Sequence, residues 1–109
     1  KDYVEGKKSC ISDKDTSIAE GIAIHKPVRL TQIINAVTES KGDFVTVDDT
    51  AIIEALKASA HQGIFIEPTS AAAIAALKQY AGKISPPSKV LVILTGSGLK
   101  TTATIEKLL

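Results

Sequence analysis

Hydrophobic residues in this chain fall into two kinds of run, and the alternation between them sets the expected fold. Leu30, Ile33, Ile34 and Val37 recur at helical spacing, and Ile52, Ile53, Leu56 and Ala60 do so again with Glu54 and Lys57 facing away; such recurrence marks one buried helix face. Pro27 suits the first turn of the earlier helix, where its missing N–H has no intrahelical partner anyway, and Gly42 ends that helix beyond Ser40. Asp48 or Asp49 can accept a backbone N–H as N-cap of the next helix, which Gly63 closes. Between these lie contiguous β-prone runs: Phe44 to Val47, Ile64 to Ile66, and Val90 to Leu94. The stretch Ile18 to Ile24 holds Gly21 and has no clean period, so it reads as a short strand or an extended connector. Pro68 with Thr69 or Ser70 supplies a break and a cap before a helix from Ala71 to Ala81. That helix is alanine-rich on nearly every side and so is expected between two layers. A last helix is expected from Thr101 to Leu109.

Strand and helix alternating at this interval describe βαβ units, so the expected class is α/β with a parallel sheet. Parallel strands covered on both faces end at the crevice where small molecules bind, and the run from Val90 stops at Thr95-Gly96-Ser97-Gly98. Thr95 is therefore expected at the ligand edge. Residues 1–17, polar and aperiodic, read as a mobile or extended leader, and residues 18–109 as a single α/β segment.

Composition narrows the partners. Thirteen Lys and Arg against 12 Asp and Glu, scattered over 109 residues, leave no basic stripe for nucleic acid. No apolar run reaches the ~20 residues that span a bilayer, and Cys10 as the single cysteine excludes an internal disulfide. A cytoplasmic location is expected. The absence of a starting Met and the charged opening from Lys1 to Lys8 suggest an excised piece.

Three segments in order carry a resemblance: Ile18 to Ile24 followed by Pro27, Gly63-Ile64-Phe65-Ile66-Glu67-Pro68-Thr69-Ser70-Ala71-Ala72, and Leu94-Thr95-Gly96-Ser97-Gly98-Leu99-Lys100. Together they resemble the C-terminal third of the threonine synthases, over roughly residues 16 to 101. The resemblance implies the C-terminal part of a tryptophan-synthase-β-like fold and pyridoxal 5'-phosphate as cofactor. It implies O-phosphohomoserine and water as substrates, threonine and phosphate as products, and a homo-oligomer. Cysteate synthase and threonine dehydratase look similar in this region. The family's Schiff-base lysine and glycine-rich phosphate loop lie in sequence this chain does not contain, so no catalytic residue is expected here and the segment alone should be inactive. A different class of reading is a stand-alone α/β binding module without catalysis.

The resemblance assigns Thr95, Gly96 and Glu67 to the cofactor. A threonine hydroxyl donates one hydrogen bond and accepts two, so it can serve a neutral pyridine nitrogen; the alternative for Thr95 is a cap on the turn that follows. Gly96 and Gly98 read as turn glycines at positive φ that also let the backbone pass close to the ring. Glu67 lies near the ring by resemblance, or else emerges into solvent before Pro68. Thr69 and Ser70 are taken as caps in preference to an anion site. Lys100 opens a polar helix and lacks the apolar pocket a Schiff-base lysine needs. His25 and His61 have no partners at metal-ligand spacing, so no zinc site is expected, and Cys10 reads as an ordinary thiol.

Overall fold

In the computed structural model, which describes residues 17–24 and 26–108, the helices begin where local chemistry dictates. Four α-helices form among the described residues: α1, Leu30–Glu39; α2, Asp49–His61; α3, Pro68–Tyr80; and α4, Thr102–Leu108. Single 3₁₀ turns occupy Glu20–Ile22, Ala81–Lys83 and Gly98–Lys100. Asp48 is the N-cap of α2, its carboxylate accepting from Ala51 N at 2.8 Å. Asp49, one residue on, instead receives the Ser17 hydroxyl at 2.7 Å and so ties the chain entering the core to the start of α2. At the other end Gly63 N–H reaches Ala60 O at 2.9 Å and Ile64 N–H reaches Ser59 O at 2.9 Å, with Gly63 at φ 76°. This is the left-handed closure that glycine permits without a Cβ clash.

The core is the seam between α2 and α3. Ile52, Ala55, Leu56 and Ser59 of α2 are buried, a stripe rotated by about one position from the Ile53 and Ala60 side expected from periodicity. Ala71, Ala72 and Ala75 of α3 face it, and their small side chains let the two backbones approach. Ile105 of α4, Ile66 and Ala19 close the ends of this cluster. A fully buried Ile or Leu contributes about 1.5–3 kcal/mol, so Ile52, Leu56 and Ile105, each at most 2% exposed, carry most of the packing. In contrast α1 contributes no buried residue. Its C-terminus is closed by Lys41 at φ 54° with Gly42 N–H on Val37 O, so Lys41 and not Gly42 takes the left-handed position.

The expected parallel α/β sheet does not form among the described residues. One isolated antiparallel bridge, Ile66 to Ser97, is the only β pairing there, and the sheet of a tryptophan-synthase-β-like fold is absent with it. The reason is physical: a strand exists only where a neighbour takes its N–H and C=O groups. The runs Phe44 to Val47 and Val90 to Leu94 have no such neighbour among the described residues, and Leu91 stays 87% exposed. The Ile18 to Ile24 stretch forms a 3₁₀ turn, with Ala19 buried. The radius of gyration, 15.0 Å, exceeds the ~13 Å of a compact chain of about 100 residues. Large apolar side chains stay exposed among the described residues, including Leu91, Ile93 and Leu99. The leader to residue 16, Cys10 and His25 lie outside the described residues.

Candidate functional site

Pro68 fixes the start of α3 at its first helical position, where a proline costs no hydrogen bond, and Glu67 is the N-cap. The Glu67 carbonyl accepts from Ser70 N and Ala71 N at 3.0 and 3.1 Å, while its side chain makes no cap bond. Thr69 and Ser70, expected as caps, lie inside the first turn instead. Ser70 is 1% exposed and points across to the segment that follows Val90–Leu94. Its hydroxyl accepts from Gly96 N–H at 2.9 Å and lies 3.3 Å from Gly96 O. It also lies 3.5 Å from the Thr95 hydroxyl, a long separation for two hydroxyls. Two backbone bonds complete the junction, Glu67 N–H to Gly96 O at 3.1 Å and Gly98 N–H to Phe65 O at 3.2 Å.

Glu67, Thr95 and Gly96 are thus brought into one small region. Thr95 is an exposed residue whose hydroxyl lies 3.5 Å from that of buried Ser70. Glu67 is half-buried, and its carboxyl group lies against Gly96 so closely that a Cβ on that glycine would overlap it. Gly98 is buried, and a Cβ there would come within 2.9 Å of Ile105 Cδ1 and of the Phe65 ring. The expectation of positive φ at these two glycines is corrected: among the described glycines only Gly63 has it. Gly98 is required for the close approach of Ile105 and Phe65, whereas the neighbour of Gly96 is the movable end of the Glu67 side chain.

The remaining expected positions are simpler. Lys100 is exposed in the 3₁₀ turn Gly98–Lys100, which Ser97 caps through Leu99 N–H at 3.3 Å. His61 is exposed at the last turn of α2. Among the described residues no three His, Cys, Asp or Glu side chains converge as metal ligands, and no helix there is long and apolar enough to cross a membrane. Two hollows flank the junction without including Thr95 or Gly96. One, of about 170 Å³, lies between Ile18, Gly21, Thr69, Thr101 and Thr104, with Glu67 at its margin. The other is an apolar groove of about 410 Å³ between Val45, Leu77, Tyr80, Val90, Leu91 and Ile93.

The chemistry open to this junction is limited and specific. An exposed neutral hydroxyl can donate to or accept from one polar atom of a ligand. The Glu67 side chain makes no bond to the start of α3, and its carboxyl lies against Gly96. The sequence reading missed Ser70, whose signal was available: Pro68 sets the first helical position, which puts Ser70 one turn inside, beyond the N-cap.

Comparison with known proteins supplies the rest. The family model described as pyridoxal-phosphate dependent enzyme matches residues 2–96. The threonine synthase of Synechocystis sp. is 35% identical over 99 residues, covering 90% of this chain and 25% of that protein. The threonine synthase of Halalkalibacterium halodurans is 37% identical over 93 residues, covering 83% of this chain and 26% of its own length. That of Methanocaldococcus jannaschii is 40% identical over 87 residues, covering 77% and 22% respectively. The chain spans about a quarter of the length of these curated relatives.

Proposed function

This chain belongs to the pyridoxal-phosphate dependent enzymes, and from that premise we propose that it is the segment of a threonine synthase whose Thr95 edge contacts the pyridine ring of the cofactor. The observation that carries the reading is the junction itself: an exposed Thr95, a buried Gly96 beside it, and the Glu67 carboxyl lying against that glycine. When bound, pyridoxal phosphate supplies an electron sink for carbanions formed beside the substrate amino group. The residues of this chain hold and orient it. Thr95 hydrogen-bonds the ring nitrogen, Gly96 keeps the backbone flush with the ring edge, and Glu67 lies near the ring. None of the three moves a proton in the reaction.

The relatives are threonine synthases, and with the resemblance noted in the sequence this favours O-phosphohomoserine over the phosphoserine or threonine used by similar enzymes. The chain by itself is inactive in this reading, because it covers only a quarter of those proteins. A homo-oligomeric state and a cytoplasmic location belong to this reading through the resemblance to the threonine synthases alone. The test compares this chain with the complete polypeptide that bears it, each given pyridoxal phosphate and O-phosphohomoserine, with phosphate and threonine measured together. Equimolar phosphate and threonine from the complete polypeptide, and none from the chain alone, is the expected result. Turnover by the chain alone, or deamination of threonine in place of its formation, would overturn the assignment.

A further inference from the structure

We propose that Ser70 is a positioning residue for the cofactor, acting through Thr95; the inference rests on the reading of Thr95 given above. Ser70 is 1% exposed and sits on α3, yet every hydrogen bond of its hydroxyl runs to the Thr95–Gly96 segment and none to its own helix. It accepts from Gly96 N–H at 2.9 Å and stands 3.3 Å from Gly96 O, which fixes both polar groups of the residue following Thr95. Its hydroxyl also lies 3.5 Å from the Thr95 hydroxyl. A hydroxyl has one hydrogen to give and room to accept two. One acceptor position on Ser70 is filled by Gly96 N–H, and its single hydrogen has two acceptors within reach, Gly96 O at 3.3 Å and the Thr95 hydroxyl at 3.5 Å. With the Ser70 hydrogen given to Thr95, the Thr95 rotor is restrained and its own hydrogen is left for a neutral ring nitrogen; this is the arrangement assigned to the holoenzyme.

Alternative uses of Ser70 do not fit. It is not an N-cap, since Glu67 holds that position. It is not a core spacer alone, since a buried alanine such as Ala71 or Ala75 would fill that role without needing partners. The serine is retained where a buried hydroxyl must be satisfied, and what satisfies it is the edge that carries Thr95.

A double-mutant cycle in the holoenzyme tests this, with cofactor affinity measured by titrating apoenzyme with pyridoxal phosphate and following the absorption band of the bound cofactor. Ser70→Ala removes the hydroxyl. Ser70→Cys keeps the volume with a much weaker hydrogen-bonding group, so the cycle remains readable if the alanine variant fails to fold. With Thr95 present, either change should weaken cofactor binding about threefold to tenfold and shift the absorption band. In a Thr95→Val background the same change should add less than about twofold. Equal weakening in both backgrounds, or none in either, would overturn the role of Ser70. If Thr95→Val is itself silent, the reading of Thr95 fails, and the inference about Ser70 fails with it.

Discussion

Gly98→Ala should destabilise the chain substantially while Gly96→Ala should not, and the difference follows from what each added methyl meets. At position 98 a Cβ would stand 2.9 Å from Ile105 Cδ1 and from two atoms of the Phe65 ring. Phe65 is 40% exposed and can swing outward, but Ile105 is 2% exposed and wedged into the α2–α3 core, so the core must open to admit the methyl. Overpacking of this kind costs about 1–3 kcal/mol. With a urea dependence of about 1–3 kcal/mol per molar for a domain of this size, a loss of ~2 kcal/mol lowers the midpoint by about 1 M. At position 96 the obstacle is the end of the Glu67 side chain, which can leave for solvent, so the cost stays within about 0.5 kcal/mol. Urea titration followed by far-ultraviolet circular dichroism, at one fixed chain concentration, measures both variants. A neutral Gly98→Ala would refute the claim that Gly98 serves the close approach of Ile105 and Phe65, and a Gly96→Ala as costly as it would refute the claim that the Glu67 side chain yields.

Gly63→Ala provides the converse case: its methyl meets nothing within 4 Å, yet φ of +76° should still cost about 1–2 kcal/mol in the same titration. No loss there would mean the left-handed closure of α2 is not retained in solution. Asp48→Ala removes the N-cap bond to Ala51 N and should lower stability by about 1 kcal/mol, with Asp48→Asn recovering most of it. Equal losses in the two variants would assign the effect to charge instead of capping.

What was legible in the sequence is what is local. Asp48 and Gly63 bound α2 because a cap and a left-handed closure are decided within a few residues of the helix end. Pattern located α1 as well, but not Lys41 at its C-terminus, since glycine one position later was the stronger signal. The strands were illegible as structure for the opposite reason. Val90 to Leu94 has the composition of a buried strand, but composition does not supply a pairing partner, and among the described residues no segment forms a β-ladder with it. The site residues Thr95, Gly96 and Glu67 could be singled out by resemblance, whereas their support could not. Ser70, Phe65 and Ile105 come to Thr95, Gly96 and Gly98 from other elements, and each reads in isolation as a cap or a core residue.

The central claim is that the Thr95 hydroxyl meets the ring nitrogen of pyridoxal phosphate, and its most direct test is the cofactor dissociation constant of the holoenzyme carrying Thr95→Val. Valine keeps the shape and removes the hydrogen bond. The loss of one neutral hydrogen bond, together with an unpaired partner, is worth about 1–3 kcal/mol, which is roughly one to two orders of magnitude in affinity. The account predicts that weakening with folding unchanged. An unaltered dissociation constant in a folded Thr95→Val enzyme would contradict it.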